Sequence, residues 1–203
     1  MNSQQFLRVP HALGGVVFAL AVLIGGSPRL SAQEAGPYIV DRESSTVGFT
    51  ISHFGVSEVY GEFREFTGSV SYHASPLSVD ITGSVAVASI DTGIAARDRV
   101  LMRRPYFDQE QYPEITFRTL RIEDSAAGSS GEPMILVGEL GIRSVVRELR
   151  LPLTVEAEAS EAVTISLRGS FDRNDFGVRG GLGSAAIGDQ VDLRIDLVAR
   201  RPR

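Results

Sequence analysis

Between Ser45 and His53 the chain reads STVGFTISH, so that Val47, Phe49 and Ile51 are each separated from the next by one small or polar residue. A period of two belongs to a strand with one buried face, because successive side chains of an extended chain point to opposite sides. The pattern recurs over Val59–Phe66, Ser69–His73, Ser78–Ile90, Ile115–Ile122, Met134–Ile142, Arg147–Ala157, Ala162–Phe171 and Val191–Ala199, with Gly, Ser, Asp or Pro in the turns. Many strands at short spacing predict an all-β, antiparallel sandwich or barrel. About eight strands of about ten residues would use most of the chain, and eight close a barrel just wide enough for one small ligand.

Two segments break the alternation. Thr92–Met102 holds helix formers at an apolar spacing of three to four and stops before Pro105, because proline disfavours helix in the residue preceding it. Asn174–Gly177 reads as one short turn, and Glu123–Glu132 (EDSAAGSSGE) as a hairpin loop.

Residues 1–32 fall outside this pattern. Arg8 and His11 precede Ala12–Ile24, an apolar run of 13 residues followed by Gly-Gly-Ser-Pro. A bilayer span needs about 20 residues, so the run suits the core of a signal peptide, with cleavage expected after Ala32. An uncleaved N-terminal anchor is the alternative. Cleavage would leave residues 33–203 as one domain, exported to the periplasm or secreted. The exported form would carry 18 arginines against 25 acids, a net charge of −7. That balance argues against nucleic acid, which requires a basic face.

Composition removes several chemistries. All 20 basic residues are arginine and no cysteine occurs. Schiff-base and Walker-type lysines, disulfides, thiolate metal sites and thiol nucleophiles are therefore excluded. Asp175-Phe176-Gly177 spells the kinase magnesium motif, but no lysine exists to accompany it. Gly-x-Ser-x-Gly is absent, and Gly177, Gly180, Gly181 and Gly183 lack dinucleotide spacing. Beyond the signal only His53 and His73 remain, in no His-x-His or His-x-x-x-His arrangement. An enzyme using His53 with carboxylates from distant strands, metal-assisted or not, is the competing reading, and nothing in the residues supports it positively.

The ordered series of short motifs carries more information than any one of them. Tyr38-x-x-Asp41 leads into Ser45-x-Val47-x-Phe49-x-Ile51-x-His53-x-Gly55, and Gly61-x-Phe63-x-x-Phe66-x-Gly68 follows. Ser89-Ile90-Asp91-Thr92-Gly93 precedes Arg97-Asp98, then Tyr106-Phe107-Asp108 and Tyr112-Pro113-x-Ile115-x-Phe117. Phe171-x-Arg173-x-Asp175-Phe176-Gly177 and Gly188-Asp189-x-Val191 complete the series. In this order the chain resembles the YceI-like proteins, a polyisoprenoid-binding family of lipocalin-like periplasmic barrels. It departs from the family pattern at Tyr38, where tryptophan is usual, and over Gly138–Arg147, where Gly141, Ser144 and Val146 replace threonine, glycine and threonine.

The resemblance implies an extended lipocalin-like barrel with one or two short helices, holding a long isoprenoid or similar amphiphilic lipid, with no catalytic group, metal or cofactor. Such a carrier would meet membranes transiently and could pair into a homodimer through strand edges or faces. Apolar parity nominates Val47, Phe49, Ile51, Val59, Phe63, Ile115 and Phe117 as lining, joined by Phe107, Phe171 and Phe176. An anionic head group would need donors at the mouth, for which His53, Arg97, Arg104 and Arg173 are the candidates, although Arg97 beside Asp98 also reads as a structural ion pair.

Overall fold

The computed structural model describes residues 37–74, 77–123, 134–158, 161–180 and 186–202. The expected signal segment, and the 123–132 loop beyond Glu123, lie outside them. Alternation produces strands in the expected segments, and a short one precedes them: the strands are β1 (Tyr38–Val40), not among the expected runs, β2 (Thr46–His53), β3 (Ser57–Phe63), β4 (Phe66–Ala74), β5 (Leu77–Ala86), β6 (Ile90–Asp91), β7 (Glu114–Glu123), β8 (Met134–Ile142), β9 (Val145–Glu158), β10 (Ala162–Asp172) and β11 (Ile187–Arg200). All pairings are antiparallel. The order β1-β4-β5-β7-β8-β9-β10-β11 returns from β11 to β1, closing an eight-stranded barrel. β2, β3 and β6 continue β1, β4 and β5 past local breaks, with β2 paired to both β11 and β3.

These breaks are the main departure from the expected strands. Val59–Phe66 and Ser78–Ile90 each read as one run, yet the first is interrupted at Arg64-Glu65 and the second by a 3-10 turn at Val87–Ser89. Ser89 knits the two breaks together: its Oγ accepts from the Glu65 N–H (3.0 Å), and its carbonyl accepts from the Arg64 N–H (3.2 Å). Another 3-10 turn, Arg42–Ser44, separates β1 from β2 and is capped by Asp41, which accepts from the Glu43 N–H and the Ser44 hydroxyl. Such bends let a long strand curve around a small barrel while its polar groups stay bonded.

The expected helix is shorter than its pattern. α1 covers Ala95–Leu101 only, because Gly93 adopts φ 82° and Ile94 stays extended. The expected turn at Asn174–Gly177 overlaps a 3-10 turn over Arg173–Phe176, closed by left-handed Gly177. The family departure at Gly141 has a local cause: a Cβ there would stand 2.5 Å from Thr116 Oγ1 on the paired strand, so the threonine across the ladder fills that space. The β8–β9 turn closes tightly with Arg143 at φ 56°. The Arg143 guanidinium donates to the Gly177 carbonyl at 2.7 Å and lies over the Tyr112 ring, joining that turn to the segment after α1 and to the 3-10 turn.

Two apolar clusters fill the barrel unequally. One end is solid, with Val70, Val79, Leu136, Val163, Ile165 and Ala199 at essentially no exposure. At the other end Phe63, Val87, Ile90, Leu140, Ile142, Phe176 and Val178 form a shell beneath α1 and the segment that follows it.

Candidate ligand cavity

Inside that shell the barrel is hollow. The cavity has a volume of about 260 Å3, and Ile81, Leu151, Leu167 and Leu197 on its wall belong to or adjoin the solid cluster. Val47, Phe49, Ile51, Val59, Phe63, Phe107, Ile115, Phe117 and Phe171 all line it. Parity on β2, β3 and β7 thus points the alternating residues inward. Val47, Phe49, Ile51 and Phe117 are only half-buried although they face the barrel interior, as residues bordering a hollow must be.

Phe176 is different. It does not line the cavity; it is 1% exposed and packs edge-on against Phe171, with ring centroids 5.0 Å apart. It lies in a 3-10 turn, where the period-two parity that nominates lining residues no longer applies.

His53, Thr92, Arg97 and Arg173 all line the cavity. Thr67, Thr82, Ser84 and Thr116 also line it, but its basic side chains are His53, Arg97 and Arg173. His53 ends β2, makes no hydrogen bond to a carboxylate among the described residues, and rests its ring edge-on against Phe54. Arg97 and Asp98 do not form the expected ion pair. Both hold Thr92 instead: Arg97 Nε donates to Thr92 Oγ1 (2.7 Å) and its terminal nitrogen to the Thr92 carbonyl (2.6 Å). Asp98 accepts from the Thr92 hydroxyl and N–H. Thr92, 8% exposed, is thereby satisfied, and the base of α1 is fastened to β6.

Arg173 is buried and donates to the carbonyls of Val178, Ile187 and Gly188 while pairing with Asp189 at 2.9 Å. It therefore latches the two ends of the 178–188 segment, and its charge already has a partner. Arg104 does not reach the cavity: its side chain is 72% exposed and pairs with Asp108 at 2.7 Å and Gln111 at 2.8 Å. Asp108 lies one helical turn's spacing further along the chain, a relation visible in sequence. Among the described residues no three His, Asp or Glu side chains stand where they could hold a metal ion.

Other contributors escape period-two reasoning because they lie in the cap. Leu101 and Tyr106, from α1 and the segment after it, line the cavity beside Phe107. Two glycines also shape it: a Cβ at Gly61 would run into the Phe49 ring, and one at Gly138 into the Phe117 ring. Each ring lies across a glycine of the adjoining strand.

A closed antiparallel barrel around a largely apolar cavity defines a lipocalin-like β-barrel fold. The YceI-like domain family model matches residues 38–199, and the chain belongs to that family. It is similar to a UPF0312 protein of Shewanella sp. (strain ANA-3), 28% identical over 190 residues that span 89% of this chain and 97% of the relative. Burkholderia cenocepacia BcnA has a similar fold, with a TM-score of 0.71 at 23% identity over 79% of this chain and 99% of its own. So does a polyisoprenoid binding domain from Saccharophagus degradans implicated in plant cell wall breakdown, with a TM-score of 0.65 at 18% identity over 81% of this chain and 98% of its own.

Proposed function

We propose that the protein is an exported, periplasmic or secreted carrier that takes a long isoprenoid or similar amphiphilic lipid into its barrel and uses neither metal nor cofactor. The observation that carries this reading is the apolar cavity within the barrel, lined by Phe49, Ile51, Phe63, Ile115 and Phe117 as well as by His53 and Arg97. Each methylene transferred from water to such a wall gains about 0.8 kcal/mol, although ordering a flexible chain takes back part of the sum. Arg97 keeps donors beyond those given to Thr92, so it can meet a polar or anionic head group, whereas Arg173 serves to hold the wall. The binding domain from S. degradans adds support for an isoprenoid chain. No catalytic group is assigned: among the described residues His53 has a ring contact with Phe54 and no carboxylate partner of the kind that orients a general base.

Purification from the native host followed by native mass spectrometry tests the proposal. The expected spectrum shows the protein with one added lipid mass that is lost on delipidation and regained with added farnesol. A folded barrel that carries no lipid and takes up no isoprenoid would overturn it.

A further inference from the structure

We propose that the rim of the cavity near His53 and Arg97 is a docking surface for an anionic lipid bilayer, formed by the tip of the β2–β3 hairpin and by the exposed side chains of α1 and of Arg103 just after it. The inference deepens the carrier reading and rests on it for its purpose, which is to bring the cavity against the membrane that supplies or receives the lipid.

The hairpin tip supplies the apolar part. Phe54 is 70% exposed and Val56 89%, and they directly follow His53, which lines the cavity. Phe54 and Gly55 have φ 53° and 66°, both positive as at the two central positions of a type I′ turn. Those positions favour Asn, Asp and Gly, and a bulky side chain at positive φ is a genuine outlier. The turn is held in place by the Phe54 N–H donating to the Ala186 carbonyl at 2.6 Å. A phenylalanine here is unfavourable sterically, and apart from its edge-on contact with the His53 ring it leaves most of its surface in water. Transfer into a lipid interface removes that surface from water.

α1 supplies the charge. Leu101 and Arg97, one turn apart, line the cavity, which leaves Arg99 on the opposite face, while Val100 on the flank of the helix and Arg103, just past its end, are also exposed. Val100 is 49% exposed, and Ile94 at the helix entrance 53%. Among the described residues neither Arg99 nor Arg103 makes an ion pair, whereas Arg118, Arg121, Arg150 and Arg168 on the barrel's outer wall are each joined to a carboxylate. The chain as a whole is net negative, so attraction to anionic head groups needs a local basic patch of this kind. Exposed apolar side chains flanked by unpaired arginines match the chemistry of a bilayer interface better than that of a protein partner.

The test is co-sedimentation of the purified protein with vesicles of phosphatidylglycerol and phosphatidylethanolamine, with phosphatidylcholine vesicles as the uncharged comparison. Wild type is expected to pellet with the anionic vesicles and less so at high salt. Phe54→Asn with Val56→Ser, and separately Arg99→Glu with Arg103→Glu, should each lower partitioning by about tenfold. Asparagine tolerates the turn's positive φ, so thermal melting of the first pair should stay at or above that of wild type, separating lost docking from lost folding. Wild type remaining in the supernatant, or either pair pelleting like wild type, overturns the proposal. Farnesol uptake without vesicles tests the carrier reading on its own: uptake with no sedimentation overturns the docking surface alone. Sedimentation abolished by the variants upholds it whether or not farnesol binds.

Discussion

Phe49 and Phe117 occupy their places in the cavity wall because the strand beside each offers a glycine, Gly61 and Gly138, instead of a side chain. Replacing either glycine by alanine would drive a methyl group into the ring and force it toward the cavity. Gly138→Ala, where the new Cβ would also crowd the Arg118 carbonyl, should destabilise the fold by about 1–3 kcal/mol, as overpacking commonly does. Chemical denaturation would measure the loss, and farnesol titration should show weaker uptake. Single-residue legibility follows the same logic. Val47, Phe49 and Ile51 could be placed from sequence because a strand's parity fixes the direction of its side chains. Phe176 could not, since it sits in a 3-10 turn, and the glycines could not, since their role depends on which strand lies alongside. Arg97 and Asp98 are neighbours in sequence, but Thr92, six residues before Asp98, claims both.

At the level of elements, alternation located the strands well and their interruptions poorly. The breaks at Arg64-Glu65 and Val87–Ser89 go with bonds that Ser89 makes to the neighbouring strand, and such pairing is invisible to a periodicity. The β10–β11 pair shows how charge is managed on the outer face. Burial works against ionisation of Asp196, but hydrogen bonds from Arg168, Ser166 and Arg194 outweigh it and lower its pKa below the ordinary aspartate value. A carboxylate depressed by folding stabilises the native state above its unfolded pKa, about 3.9, and that contribution is lost as pH falls from there through the lower native value. Thermal melting followed from neutral pH down to about pH 3 should therefore fall across the acid limb. Asp196→Asn should be less stable than wild type at neutral pH and show a shallower acid slope; an unchanged slope would count against this role. The effect belongs to the strand pair, because the four groups come from two strands.

Over the whole molecule, one half of the barrel is packed and the other hollow, and the two tasks of stability and binding are divided accordingly. Leu136, Val163 and Ile165 in the packed half hold the strands together without a ligand, so binding should add to stability rather than create it. A ligand that binds only the native state raises stability by RT ln(1 + [L]/Kd), about 2.7 kcal/mol at a hundredfold excess over Kd. Delipidated protein should thus remain folded, and its melting temperature should rise with farnesol concentration in a scanning calorimeter. Loss of secondary structure on delipidation would contradict this division. The closure of the barrel has a further consequence, one of timing. Ile39 and Val40, near the beginning of the described chain, pair with Arg200 and Ala199 near its end, and β2 also depends on β11 for its outer edge. A chain emerging from its N-terminus onward cannot complete the ring until its last strand has appeared, and contacts of such long sequence separation form slowly. The order in which the strands are joined therefore keeps the barrel open until β11 has been made.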